Sequence, residues 1–188
     1  CGSNDNPSQD EDHFRQIDSF ESAMPHGTPL PAAELSYEDK LKLAKAVGKK
    51  AILITVDSLK EIIKSDSSGW CLYSFWNLDC ANCLEINIAL NVMVNSSEIE
   101  SKLKVKYINT ISLYPNQVNE YIRENGIVGD VYTIPADTLV NWTGDVDVFW
   151  NGDLPALLLI NNTDGSRLFY QQEFSKDELE AILETLIL

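Results

Sequence analysis

The sequence predicts an α/β protein with a mixed central sheet covered by helices on both faces. Three observations carry this prediction. Ala51-Ile52-Leu53-Ile54-Thr55-Val56 and Trp70-Cys71-Leu72-Tyr73-Ser74-Phe75-Trp76 are nearly unbroken apolar, β-branched and aromatic runs, the pattern of strands buried on both sides. Helical patterns with recognisable starts and stops alternate with such runs, as crossover connections between parallel strands require. Near the C-terminal end, Asn162-Thr163-Asp164-Gly165 is a tight turn between Leu154-Pro155-Ala156-Leu157-Leu158-Leu159-Ile160-Asn161 and Arg167-Leu168-Phe169-Tyr170-Gln171, so at least one strand pair is antiparallel.

Taken in order, residues 1–35 are polar, carry Pro25, Pro29 and Pro31, and show no apolar periodicity. Such a stretch cannot bury enough surface to offset the entropy of ordering it, and it reads as a flexible tether spanning roughly 30 Å as a coil. Residues 36–188 form one domain, long enough to bury about two-thirds of its surface. It opens with a short helix in which Ser36 is the cap, Glu38 and Asp39 lie in the first turn, Lys40, Lys42 and Lys45 follow, and Gly48 is the stop. Ala51–Val56 is a buried strand. Asp57 or Ser58 caps a helix to about Lys64, and residues 65–69 form a loop.

Trp70–Trp76 is the central strand, and a helix runs from the cysteines after it to about Asn95. Its apolar residues lie all round, and Asn87, Asn91 and Asn95 form one polar line at i, i+4 spacing. Leu103–Ile111 is a third strand, and Pro115–Asn125 a helix ended by Gly126. Residues 128–152 are the least regular part, with a short β-like Val131-Tyr132-Thr133-Ile134, then Trp142, Val146, Val148, Phe149 and Trp150 among Gly and Asp. A strand entered through Pro155 follows, then the hairpin. Ser175-Lys176-Asp177-Glu178 is a capping box that opens a last helix with Leu179, Ile182, Leu183 and Leu186 on one face.

Charge excludes one class of partner. The net formal charge of −15 leaves no contiguous basic surface to neutralise phosphates, so nucleic acid is not a ligand. No run approaches the ~18 apolar residues of a transmembrane helix. His13 and His26, the only histidines, fall in the tether and read as solvated, which leaves the domain without a Cys–His catalytic pair.

The chemistry lies in Cys80-Ala81-Asn82-Cys83, which joins the end of an aromatic strand to the start of a helix. Two thiols at C-x-x-C spacing in a first helical turn suit disulfide exchange. Unpaired N–H groups and the positive end of the helix dipole favour a thiolate on Cys80, while Cys83 lies one turn deeper and can resolve a mixed disulfide. Half of a zinc site or a purely structural disulfide are the other readings; no second Cys/His pair lies nearby, so no metal is expected. Asp79 is a pKa-tuning neighbour: its carboxylate opposes a thiolate, and as an N-cap it would take N–H groups that Cys80 could use. Cys71, alone in the strand, reads as an inert core residue.

The strand and helix order, with the C-x-x-C pair at the head of the second sheet-flanking helix and a proline opening the penultimate strand, resembles the thioredoxin fold, a three-layer α/β/α sandwich. Phe75-Trp76-x-x-x-Cys80-x-x-Cys83, the insert before Pro155 and the Pro155–Gly165 segment resemble the membrane-tethered TlpA/ResA-like thiol-disulfide oxidoreductases, over residues 50–188. The resemblance implies that Cys80 attacks, that Cys83 resolves, that Pro155 is a cis-proline facing the disulfide, and that no cofactor is needed. It implies client proteins bearing disulfides or thiols, and a redox donor or acceptor. Trp76, Trp142, Trp150 and Leu154 are the expected substrate face. Cys1 followed by Gly2-Ser3-Asn4-Asp5 is similar to the start of a mature bacterial lipoprotein, which implies a lipid on Cys1, a membrane anchor and a place in the cell envelope. The alternative is a lipid-anchored binding module of the same fold with a redox-inert disulfide.

Overall fold

The computed structural model describes residues 48–67, 69–96, 98–112, 114–135 and 142–187, with Ser36 and Glu38. The expected tether, Cys1 and most of the expected helix over 36–47 lie outside the described residues. Six strands form one sheet: β1 (Ile52–Leu53), β2 (Trp70–Trp76), β3 (Leu103–Ser112), β4 (Asp130–Pro135), β5 (Ala156–Asn161) and β6 (Arg167–Tyr170), in the order β1-β4-β3-β2-β5-β6. The pairs β1–β4, β4–β3 and β3–β2 are parallel, and β2–β5 and β5–β6 antiparallel. The sheet is mixed, as the alternating helices and the C-terminal hairpin predict.

Among the described residues, the helices with both ends described are α1 (Val56–Ser65), α2 (Ala81–Ser96), α3 (Pro115–Asn125), the single turn α4 (Thr143–Val146) and α5 (Lys176–Ile187), with a 3₁₀ turn at Glu98–Ser101. They cover both faces of the sheet. Leu72 and Trp76 of β2, with Val105, Tyr107, Val131, Leu157 and Leu159, pack under α2, α3 and α5. Cys71, Tyr73 and Phe75 point the other way and join Ile108, Ile134, Leu158 and Ile160 under α1 and the 142–150 segment. The period-two alternation of a strand produces this split, so β2 contributes to two cores at once.

Two expected elements change. The strand over Ala51–Val56 is short: Ile52 and Leu53 pair with β4 and are 56% and 63% exposed at the edge of the sheet, and Ile54 adds one N–H bond to Thr133 O at 2.9 Å. Its apolar run stops early because Thr55 turns to cap α1, its Oγ1 accepting the Ser58 N–H at 3.1 Å, the role expected of Asp57 or Ser58. The β-like stretch near Val131 is a full strand and inserts between β3 and β1. Gly129 before it lies so close to β3 that a Cβ there would sit 2.7 Å from the Tyr107 ring and 2.9 Å from the Val105 carbonyl oxygen.

Other local signals hold. Gly126 closes α3 in the left-handed region, at φ 59°. Ser175 and Glu178 form the capping box of α5, with Ser175 N–H to Glu178 Oε2 at 2.8 Å and Glu178 N–H to Ser175 Oγ at 3.3 Å. The polar line of α2 is turned inward: Asn87 and Asn91 are fully buried and Ile88 is exposed. Asn91 accounts for part of this, since its amide donates to Gly126 O at 3.0 Å and its Oδ1 accepts the Val128 N–H at 2.9 Å, which ties α2 to the chain leaving α3.

Candidate active site

The end of β2 aims the chain at the first turn of α2, and the intervening loop is held by its own hydrogen bonds. Asn77 Oδ1 accepts the Asp79 N–H at 3.0 Å, and Asn77 O accepts the Cys80 N–H at 3.4 Å. Cys80 therefore stands just before Ala81, where α2 begins; its carbonyl accepts the Leu84 N–H at 3.2 Å and its Sγ the Cys83 N–H at 3.2 Å. Cys80 itself occupies the N-cap, the place considered for Asp79. Asp79 lies one residue outside the helix and is exposed, so its carboxylate does not take the helix N–H groups, and only its charge can act on the sulfur.

Cys80 and Cys83 are disulfide-bonded, their Cα atoms 5.2 Å apart. The two sulfurs differ in access: Cys80 is half-buried, whereas Cys83 is 1% exposed and packs in the core beneath α2. An incoming thiol or disulfide meets Cys80. The Leu154–Pro155 peptide bond is cis. The β2–β5 register pairs Phe75 with Ala156, so one further step along both strands sets Pro155 level with Trp76, at the edge from which the C-x-x-C loop departs. Pro155 is buried, and half-buried Leu154 packs against both cores, one of which holds Cys83 with Cys80 at its border.

The expected substrate face needs correction at three of its four residues. Trp76 is 1% exposed and packs against Tyr121 in a tilted pair, 5.0 Å between ring centroids. Trp142 and Trp150 are 7% and 4% exposed, and they build an aromatic cluster on the far face of the sheet. Trp150 lies 4.5 Å from Phe75 and 5.3 Å from Trp142, and its Nε1–H donates to Asp153 O at 2.9 Å. These rings are core because α4 is only one turn long and needs large side chains to fill the space under it. Val148 and Phe149 between them are exposed instead, on a turn in which Asp147 Oδ1 accepts the Phe149 N–H at 3.0 Å.

Cys71 is a free thiol, fully buried on the sheet face opposite Cys83. Burial pushes its pKa up to about 12, so it stays protonated and inert, as its place in mid-strand predicts. Among the described residues no three His, Cys, Asp or Glu side chains gather as a metal site would require.

Sequence reasoning missed a buried polar set behind the disulfide. Ser74 Oγ donates to Asn87 Oδ1 at 2.8 Å, and Tyr121 Oη donates to Leu84 O at 3.0 Å. Burial holds the Tyr121 hydroxyl well above the usual phenol range. Asn82 clamps the chain before α5, its amide donating to Phe174 O at 3.3 Å while its Oδ1 accepts the Phe174 N–H at 3.4 Å. The available signal was the lone Ser74 in an otherwise apolar strand, together with Asn87 one turn beyond Cys83.

Comparison with solved structures defines the class first: the fold is thioredoxin-like. In particular, the chain is similar to a thiol:disulfide interchange protein of the thioredoxin family from Chlorobium tepidum, at 15% identity over 73% of this chain and 96% of that one, with a TM-score of 0.52. It is similar to a thioredoxin-related protein from Neisseria meningitidis serogroup B at 13% identity, over 65% and 88% of the two chains, TM-score 0.50. A thioredoxin-like protein in its oxidised form matches at 22% identity, over 63% and 77%, again with a TM-score of 0.50. No protein-family model and no curated protein matches the sequence.

Proposed function

We propose that this protein is an extracytoplasmic thiol-disulfide oxidoreductase of the TlpA/ResA-like kind, exchanging disulfides with client proteins of the cell envelope through Cys80 and Cys83. The observation that carries the reading is the asymmetry of the pair: a half-buried sulfur at a helix N-cap bonded to a 1%-exposed one. With the pair reduced, the Cys80 thiolate attacks a client disulfide. One client sulfur leaves as thiolate, and a mixed disulfide joins Cys80 to the other. Cys83, deprotonated to solvent water, then attacks the Cys80 sulfur; the internal disulfide forms and the second client thiolate departs, so the client gains the two electrons that the pair loses. Run backwards, the same steps oxidise a dithiol. A separate redox partner must reset the pair in either direction.

No helix among the described residues is long and apolar enough to cross a membrane. The envelope location is part of the proposal and rests on the resemblance of the C-x-x-C and Pro155 segments to membrane-tethered oxidoreductases.

The test uses a defined disulfide peptide and the two single-cysteine variants. Cys83→Ser traps a covalent adduct on Cys80, and Cys80→Ser does not. Equal trapping by both would remove the assignment of roles. No trapping by either, with a wild-type disulfide that resists mild reductant, would favour the binding module.

A further inference from the structure

The buried polar set behind the disulfide contains a donor without an acceptor. Asn87 is fully buried, its Oδ1 is taken by Ser74 Oγ–H at 2.8 Å, and its Nδ2 makes no hydrogen bond. The amide also lies beside the Tyr121 oxygen, near enough to pull that phenol down against the larger effect of burial, but the contact falls outside hydrogen-bond geometry, and the Tyr121 hydrogen goes to Leu84 O. Trp76 Nε1 on the same sheet face is also buried without a partner. A buried N–H without a well-formed hydrogen bond costs up to about 1–3 kcal/mol, so such a donor gains from any better acceptor that comes within reach.

The geometry of α2 indicates which acceptor. Cys83 and Asn87 are one turn apart on the inward face of the same helix, both buried. Side chains on a helix lean towards its N-terminus, so the Asn87 amide lies over the turn that carries Cys83. The Ser74 hydroxyl holds the amide oxygen towards β2, which leaves the nitrogen to face elsewhere. No lysine or arginine is among the described residues that share the core of Cys83. Its own helix follows Cys80, with Asp79 and Glu85 exposed; the core that Cys83 shares holds Tyr121 of α3, Tyr107 of β3 and Tyr170 of β6, and Lys176 at the start of α5 is exposed. A thiolate formed on Cys83 in this apolar surround is disfavoured by burial.

We propose that Asn87 is a thiolate-holding residue for the exchange reaction: once the disulfide opens, its free side-chain N–H donates to the Cys83 sulfur and supports the anion that releases the client. Ser74 is the positioning residue that fixes the amide's orientation. The inference deepens the function proposed above and rests on it for its biological meaning. In the release step the Cys83 proton passes to solvent water, the Cys83–Cys80 bond forms, the Cys80–client bond breaks and the electron pair leaves on the client sulfur. Asn87 exchanges no proton.

Two measurements on the reduced protein test this apart from any client. In the wild type, the Asn87 side-chain amide resonances move through the same midpoint as the Cys83 Cβ resonance when pH is raised. Asn87→Leu, similar in size but without a donor, raises the Cys83 midpoint by about one pH unit and slows release of a mixed disulfide about tenfold near neutral pH, while attack by Cys80 changes far less. Amide resonances that stay flat across the Cys83 midpoint overturn the proposal, and so does a folded Asn87→Leu with an unshifted Cys83. If Asn87→Leu does not fold, the wild-type titration decides alone. Failure to trap clients, with these titrations as expected, would sink the proposed function and leave the role of Asn87 standing.

Discussion

Replacing Trp150 by alanine separates a core residue from a client-binding one. The ring is 4% exposed and lies 4.5 Å from Phe75, 5.3 Å from Trp142 and 6.0 Å from Phe169 between centroids. An aromatic side chain of this size buries up to about 250 Å², or about 6 kcal/mol at 25 cal/mol per Å²; the compact unfolded chain and the retained Cβ reduce that figure. The lost Nε1–H bond to Asp153 O adds about 1 kcal/mol. With about 10–40% removed for the compact unfolded chain the sum is an upper bound of about 5–6 kcal/mol, and discounting the retained Cβ brings it towards the ~3–5 kcal/mol typical of aromatic-to-alanine changes in cores, a large part of a domain's ~5–15 kcal/mol. Urea unfolding followed by far-UV circular dichroism should show that loss. Trp150→Phe, which keeps most of the packing, should lose ~1–2 kcal/mol. A Trp150→Ala protein less than ~1 kcal/mol weaker than wild type would refute the burial argument, and reduced client exchange at full stability would restore Trp150 to a contact face.

Asp79→Asn removes a carboxylate one residue from Cys80 without disturbing the cap that Cys80 provides. The Cys80 thiol should titrate lower by less than one pH unit and alkylate somewhat faster near neutral pH, because a charge acting through water is worth at most ~1 kcal/mol; an unchanged alkylation profile would show that the carboxylate points away. Cys71, held protonated by burial with its pKa raised to about 12 from 9.0, contributes stability that is fully present below pH ~9 and declines as pH rises towards 12, because only the unfolded chain ionises it there. Cys71→Ala should flatten that decline in thermal midpoints recorded between pH 8 and 11. Gly129→Ala forces a Cβ against the Tyr107 ring and the Val105 carbonyl, and should cost ~1–3 kcal/mol in urea unfolding.

Elements whose signals are local were legible in the sequence. The capping box at Ser175, the left-handed stop at Gly126, the hairpin at 162–165 and the run of β2 depend on neighbours in the chain, and each stands in the structure where its residues place it. The Cys80/Cys83 pair at the start of α2 belongs with them. What depended on distant neighbours was not legible. No pattern in Val131–Ile134 states that this strand slides between β3 and β1, since that placement is a choice of sheet partner. Trp142 and Trp150 sit in a segment without periodicity, so nothing in the sequence told a binding surface from a filled space under a one-turn helix. The cap of α2 was misjudged for a subtler reason. Asp is a better N-cap than Cys, but the Asn77 turn sets the helix start one residue later and hands the place to Cys80. Asn87 was visible as part of a polar line, yet only the fold shows that line turned inward towards Ser74.

The midpoint potential of the Cys80/Cys83 couple, measured by equilibration in thiol redox buffers and read by mass after acid trapping, tests the account most directly. A half-buried sulfur at a helix N-terminus gives the bond an accessible attacking atom and a favoured thiolate, so the couple should poise within the range of exchange proteins, about −270 to −120 mV. A couple below about −300 mV, unreactive to mild reductant, is the behaviour of a structural bridge and would contradict the exchange chemistry.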